Sequence, residues 1–236
     1  MLYDSNVDPA EIDKFQAIAS RWWDRESEFK PLHDINPLRV GYIEKHAQGL
    51  AGKRVVDIGC GGGILAEAMA QKGAEVTGID MAEISLKVAR MHLYESGLEV
   101  DYQQVTAETF AEENQARFDV VTCLEMLEHV PDPGSVIDAA ARLLAPGGSL
   151  FLSTLNRNPK SFAFAILGAE YLLGMLPRGT HQYRRFIKPS EIATRLRANG
   201  LRLTDLSGMS YNPLTQGYRL GQDIDVNYLV AAEFDA

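Results

Sequence analysis

The chain opens with apolar residues at helical spacing. Ile12, Phe15, Ile18, Ala19 and Trp22 recur three and four residues apart between Asp8 and Trp23, and Pro9 sits where a first helical turn accepts it. A second helix is predicted over 36–47, with Pro37 near its start and Leu38, Tyr42 and Ile43 on its apolar face. Between them ESEFKPLHDINPLR reads as a polar, proline-punctuated connection. The period then changes. RVVDIG and EVTGID are short β-branched runs of the buried parallel type. The stretch from Ile64 to Lys72 between them is helical, with Leu65, Ala68 and Met69 facing inward. A helix from Glu83 to Ser96, the strand VDYQQV and the strand FDVVTCL follow. A helix from Pro133 to Leu144 stops at Pro146-Gly147-Gly148 and leads into the strand SLFLSTL.

This alternation predicts an α/β, Rossmann-like fold: a seven-stranded, mostly parallel sheet with helices on both faces and right-handed crossovers. After Asn156 the rhythm breaks, and residues from Lys160 to Arg185 form a helical insertion after strand five. A helix from Pro189 to Asn199 and the runs LRLTDLSG and DIDVNYLVAAEF are expected to close the sheet as an antiparallel hairpin at one edge. The expected organisation is one domain over 1–236. It has an N-terminal helical cap at 1–50, a core with the glycine loop at 51–156, an apolar and basic insertion at 157–188, and a closing helix with edge strands at 189–236.

Composition narrows the function. With 236 residues, 46% of them hydrophobic, the chain can bury a full core without staples. A formal net charge of −9 argues against a nucleic-acid partner, because binding phosphates needs clustered Lys and Arg. Two cysteines, Cys60 and Cys123, lie beside strand ends, make no disulfide framework, and are expected as reduced thiols of a cytoplasmic protein. The stretch MLYDSNVDPAEIDKF lacks the basic-then-apolar signature of an export signal and is too acidic for a transit peptide. No apolar run reaches the roughly 18 residues that a membrane span requires.

VVDIGCGGG stands where the first strand must turn tightly into a helix. Gly59 and Gly61 let the backbone approach a ligand closely, and Asp80 ends the next strand, where a carboxylate can accept two ribose hydroxyls. The same stretch, read as Gly61-x-Gly63-x-x-Ala66 with Asp80 behind it, also satisfies a dinucleotide fingerprint. On these residues alone a nicotinamide-dependent oxidoreductase stays open.

The later segments separate the two. VVDIGCGGG, VTGID, FDVVTCLEMLEHVPDP and LLAPGGSLFLST together resemble the successive motifs of class I S-adenosylmethionine-dependent methyltransferases. That resemblance implies S-adenosyl-L-methionine as cofactor, its methionine portion on the glycine loop, its ribose on Asp80, its adenine near Thr106-Ala107-Glu108, and a contact from Leu124. The flanks FQAIASRWWD, EFKPLHDINPLRVGYI, STLNRNPKSF, GTHQYRRFIKPSE and DVNY are similar to the ubiquinone-biosynthesis O-methyltransferase family over essentially the whole chain. That family methylates polyprenylated catechol-type rings at two steps of ubiquinone assembly, on 2-polyprenyl-6-hydroxyphenol and 3-demethylubiquinol. The resemblance also implies that Arg39 joins the cofactor site as a partner for the methionine carboxylate. Leu124 stands where the family can carry methionine, which matters little for an apolar or backbone contact. A methyltransferase acting on another small phenol or acid, and a cofactor-binding protein without activity, are the alternatives.

Two features bear on the acceptor. Glu125, Glu128 and His129 stand at i, i+3 and i+4, and on a helix they would project from one face. Two carboxylates and an imidazole could hold a divalent cation such as Mg2+, with a catechol completing its coordination. They could equally be a solvated face, or His129 could act alone as a general base. FAFAILGAEYLLGML carries only Glu170 as a charge and is flanked by Lys160, Arg178, Arg184 and Arg185. It reads either as a core helix or as an interfacial element that meets anionic lipid and guides a polyprenyl tail. Further expectations are peripheral association at the inner face of the cytoplasmic membrane and a place in a ubiquinone-biosynthesis protein complex.

Overall fold

A computed structural model describes residues 6–161, 183–212 and 215–235. Parallel strands β1 (Arg54–Ile58), β2 (Glu75–Asp80), β3 (Val100–Gln104), β4 (Phe118–Leu124) and β5 (Leu144–Leu155) build most of one sheet, which β6 (Leu201–Asn212), β7 (Gly217–Gly221) and β8 (Asn227–Phe234) extend antiparallel. The order across the sheet is β3-β2-β1-β4-β5-β8-β6-β7. Helices α1 (Pro9–Ile18) and α2 (Lys30–His46) precede the sheet. Helices α3 (Ile64–Gln71), α4 (Glu83–Ser96), α5 (Ala107–Glu113) and α6 (Pro133–Leu143), the single turn α7 (Pro159–Ser161) and α8 (Pro189–Ala198) follow in turn.

The two-residue period of the strands divides the core. Val56, Ile58, Val121, Cys123, Leu150, Leu152, Val230 and Ala232 point to one face, where they pack with Ile137, Ala140, Ile192 and Leu196 of α6 and α8. Val55, Val120, Leu124, Phe151, Leu229 and Ala231 point to the other, against Tyr42, Ile43, Leu65, Met69 and Leu86 of α2, α3 and α4. Both faces are covered, which is why the strands read as nearly unbroken apolar runs.

The expected seven strands become eight. β6 continues to Asn212, and β7 folds back on its distal half, from Gly208↔Gly221 to Asn212↔Gly217. GYRLG has glycine at both ends and only Tyr218-Arg219-Leu220 between them, an alternation too short to define a strand, so its pairing comes from the turn and from β6. The two runs expected as a hairpin do pair antiparallel, but β8 lies between β5 and β6 while the hairpin proper is β6–β7. The second helix starts at Lys30 instead of Asn36. Pro31 occupies its first turn, where a missing N–H costs nothing, and Pro37 lies inside the helix. The first helix ends at Ile18 and gives way to a tight turn at Ala19–Arg21. The expected apolar helix from Phe162 to Leu176, together with Arg178, lies outside the described residues. Among the described residues no helix is long and apolar enough to cross a membrane.

Candidate active site

Strand order reverses at β1, whose neighbours are β2 on one side and β4 on the other. Crossovers leave in opposite directions there, so a crevice opens at the carboxyl ends of the strands. It forms a cavity of ≈ 740 Å³, within the range of about 300–1,000 Å³ usual for small-molecule sites. Arg39, Gly59, Gly61, Asp80, Thr106, Ala107, Glu108, Leu124, Glu125, Glu128 and His129 all reach its wall, whereas Gly63 and Ala66 of the dinucleotide fingerprint do not line it.

At the end of β1, Gly59 and Gly61 both have positive φ, +73° and +53°. The space beside them is taken by protein: a Cβ on Gly59 would lie 2.5 Å from Cγ of Met126, and one on Gly61 2.6 Å from the ring of Trp22. Part of the demand for glycine therefore comes from side chains seated on the loop. The Asp80 carboxylate at the end of β2 accepts from the backbone N–H of Gly61 at 2.9 Å and of Ala82 at 2.7 Å. Withdrawal from bulk water raises its pKa despite those bonds. Asp57, one residue before the end of β1, is fully enclosed, and burial pushes its pKa up to about 7 while the Thr122 hydroxyl, donating at 2.7 Å, and Arg39 pull it down. Thr106 caps α5, and Glu108 accepts from Asn6 at 2.6 Å and from Ser135 at 2.8 Å. Leu124 ends β4, buried against the α2 side of the sheet.

Arg39 comes from α2 and is 4% exposed. Its Nη1 donates to Glu125 Oε2 at 2.7 Å, its Nη2 donates to Leu32 O and Asn36 Oδ1, and its Nε has no partner among the described residues.

The acid–histidine trio departs from the expected arrangement. The segment after β4 is not an α-helix. Glu125 has φ +51°, a left-handed conformation uncommon for a side chain of this kind, held by its N–H donating to Ser153 Oγ at 3.0 Å. A short turn at Leu127–His129 follows. Glu125 points to Arg39 and accepts from Ser153 Oγ. Glu128 is buried and accepts from Thr154 Oγ1 at 2.7 Å, and burial raises its pKa. His129 donates from Nδ1 to Glu11 of α1 at 2.8 Å. The hydrogen bond to His129 is the largest influence holding Glu11 below the usual carboxylate range. Each member thus has its own protein partner, and among the described residues no group of three acidic, histidine or cysteine side chains is placed to hold a metal ion. As arranged, the trio does not fit the cation expected from its spacing.

The residues that sequence reasoning missed belong to the N-terminal segment. Trp22 is stacked on Phe29 with ring centroids 3.9 Å apart, lies against Gly61 and Gly62, and donates from Nε1 to Ser85 Oγ at 3.2 Å. Trp23 donates to Gly62 O at 2.9 Å and stacks at 3.3 Å on His92, whose Nδ1 donates to the buried Glu67 carboxylate. Asn6 bonds Glu108 and the backbone of Asp132. The RWWD sequence hints at this role only through two adjacent tryptophans that a single apolar helix face cannot both occupy.

A methyltransferase-domain family model matches residues 38–206. The ubiquinone biosynthesis O-methyltransferase of Pseudomonas aeruginosa is 66% identical over 98% of this chain and 100% of its own length. That of Azotobacter vinelandii is 65% identical over 96% and 97% respectively. Among solved structures, magnesium protoporphyrin IX methyltransferase from Synechocystis PCC 6803 with bound SAH superposes with a TM-score of 0.64 at 19% identity, covering 99% of this chain and 90% of that one. This last likeness concerns the fold alone.

Proposed function

This chain belongs to the ubiquinone biosynthesis O-methyltransferases, an S-adenosylmethionine-dependent family, and from that premise we propose that its cavity joins the cofactor to a polyprenylated catechol. The observation that carries the reading is the make-up of that one cavity. Its wall combines a glycine loop, the Asp80 carboxylate and the buried guanidinium of Arg39 with the largely apolar side chains of Leu32, Ile35, Met209, Tyr211 and Tyr218.

The donor set suits the cofactor. Arg39 Nε is a buried donor without a partner among the described residues, suited to the methionine carboxylate. Each Asp80 oxygen keeps a lone pair for a ribose hydroxyl beyond the backbone bond it accepts. Gly59 and Gly61 carry the backbone beneath the methionine portion. Thr106, Ala107 and Glu108 border the adenine, with Leu124 as an apolar contact. When bound, the cofactor supplies a methyl group already activated on a positive sulfur. The protein's work is then to hold an acceptor oxygen in line and to take its proton. A phenol has a pKa of about 10, so a proton acceptor is needed at neutral pH. His129 fills that role: it lines the cavity, and with Nδ1 committed to Glu11 its Nε2 is the available base. The acceptors are 2-polyprenyl-6-hydroxyphenol and 3-demethylubiquinol, and the apolar side chains suit the tail of either.

A divalent cation is the second reading, favoured because Glu125, Glu128 and His129 share the cavity wall. It would require Glu125 to leave Arg39 and Glu128 to leave Thr154, whereas His129 could take part through Nε2 with Nδ1 still on Glu11. An unchanged rate after exhaustive chelation rejects it. The four-part organisation with boundaries after 50, 156 and 188 belongs to the same reading. So does a peripheral cytoplasmic location in which the 157–188 insertion meets anionic lipid, alone or within a ubiquinone-biosynthesis complex. Arg185 is committed to Asp8, so Arg184→Glu is the cleaner variant. If wild type and Arg184→Glu both stay in the supernatant with anionic vesicles, the lipid contact is wrong.

The central test is turnover with labelled S-adenosylmethionine and a polyprenylated catechol, alongside calorimetry with S-adenosylhomocysteine and NADH. Methylated catechol and binding of S-adenosylhomocysteine alone are expected. Binding of NADH without S-adenosylhomocysteine, or absence of methylated product, overturns the reading.

A further inference from the structure

Helix α1 has no fully buried residue; its Phe15 and Ile18 pack, partly buried, against Ala19, Trp22, Phe29 and Ile64, and polar contacts add to that hold. Asp8 pairs with Arg185 at 2.6 Å, and Glu11 pairs with His129 at 2.8 Å. The second pair is well shielded, with side chains 13% and 15% exposed. It lies across more than a hundred residues of sequence, between the segment before the sheet and the turn after β4.

An ionised carboxylate can only accept a hydrogen bond, so Glu11 Oε2 requires a proton on His129 Nδ1. The neutral ring then carries its lone pair on Nε2, for which the described residues offer no partner. The edge of Phe15, from the same helix, meets the imidazole at 5.1 Å and 85°, which restricts rotation of the ring. Glu11 is itself braced by Lys14 at 3.7 Å and by Arg185 at 3.9 Å. An acid from the N-terminal helix therefore selects both the tautomer and the orientation of the imidazole. A carboxylate behind a working histidine commonly serves this purpose, whether the other nitrogen takes a proton or binds an ion.

We propose that Glu11 is a positioning residue for the methyl transfer, fixing His129 with Nε2 presented to the acceptor, so that the site is complete only with α1 seated. The proposal rests on the reading that His129 acts on the acceptor, and the variants below separate the two.

Glu11→Ala, Glu11→Gln, Glu11→Asp and His129→Ala are compared with wild type by steady-state kinetics, calorimetry with S-adenosylhomocysteine, and nitrogen NMR of 15N-histidine-labelled protein. Glu11→Ala is expected to lower kcat about 10- to 100-fold, with cofactor affinity and acceptor KM little changed. Its His129 signal should shift from a single Nδ1–H tautomer to a mixture. Glu11→Gln keeps the size of the side chain and guards against a folding defect. It should fall between Ala and wild type, and Glu11→Asp should recover part of the rate. If His129→Ala is inactive while Glu11→Ala keeps the wild-type kcat and tautomer, the positioning role is overturned and the reading of His129 survives. If His129→Ala keeps its rate, both fall. If the Glu11 variants raise KM or weaken S-adenosylhomocysteine binding with kcat unchanged, Glu11 merely holds the helix, and the proposal is overturned.

Discussion

Gly61 is where two accounts of the glycine loop make different predictions. One holds that the residue must be glycine so that a ligand can approach, the other that Trp22 needs the space. Gly61→Ala places an L-residue at φ +53°, which costs about 1–2 kcal/mol in any surroundings. It also sets a Cβ 2.6 Å from Cζ2 and 2.7 Å from Cη2 of Trp22, and overpacking of that kind costs about 1–3 kcal/mol. Together the single substitution should destabilise by roughly 2–5 kcal/mol. In a Trp22→Ala background the collision is gone and only the backbone cost of about 1–2 kcal/mol remains. The double variant should thus be more stable than the sum of the singles predicts, by about 1–3 kcal/mol. Urea denaturation of wild type, both singles and the double measures this cycle directly. Additivity within about 0.5 kcal/mol refutes the assignment to Trp22. Calorimetry with S-adenosylhomocysteine on the same proteins tests the ligand account separately, because a Cβ that blocks the cofactor lowers affinity equally in both backgrounds.

Other substitutions test other parts of the site. Asp57 has its pKa raised from 3.8 to about 7 in the folded protein, so the native state holds that proton more tightly than the unfolded chain. Stability contributed by the protonated form is complete below the unfolded value and is lost as pH rises from about 4 to 7, with a ceiling of about 4 kcal/mol. Asp57→Asn should remove this slope, and denaturation midpoints for both proteins with the same pH dependence would contradict it. The buried hydroxyl of Tyr102 has no partner among the described residues, so Tyr102→Phe should be neutral or stabilise by about 1–3 kcal/mol. A midpoint lowered at unchanged urea dependence would show that the hydroxyl is satisfied. Arg39 and Glu125 form a shielded pair, with side chains 5% and 18% exposed. Removing either partner should cost about 3–5 kcal/mol, and removing both should cost less than the sum. Additive losses in the same denaturation assay would refute the pairing.

The sheet was legible because its strands are buried on both faces and carry short, β-branched apolar runs, bounded by glycine or proline turns. Val55 and Val56 pack on opposite faces, yet both belong to one apolar run, so strand position was readable while face was not. β7 was illegible because GYRLG is an edge segment whose pairing is dictated by β6. The start of α2 was misplaced because two prolines, Pro31 and Pro37, can each open a helix, and only packing selects the first. The acid–histidine trio was found as a set but not as a geometry. Spacing of i, i+3 and i+4 brings side chains together only on a helix, and Glu125 instead turns left-handed at the end of β4.

A general division follows from where each site residue sits. The glycine loop and Asp80 lie at adjacent strand ends, so the backbone geometry of the doubly wound sheet alone places them, and a short local pattern betrays them. Arg39, Glu11 and the tryptophans come from segments before the sheet, and Tyr211 and Tyr218 come from the hairpin at its far edge. No local pattern fixes their distance from the strand ends. What brings them there is a set of specific contacts: Trp23 with Gly62 and His92, Asn6 with Glu108, Glu11 with His129. The sheet can therefore persist while these contacts change, and with them the acceptor. The residues that decide which oxygen is methylated should accordingly be sought on α1, α2 and the β6–β7 hairpin rather than on the loop that holds the cofactor.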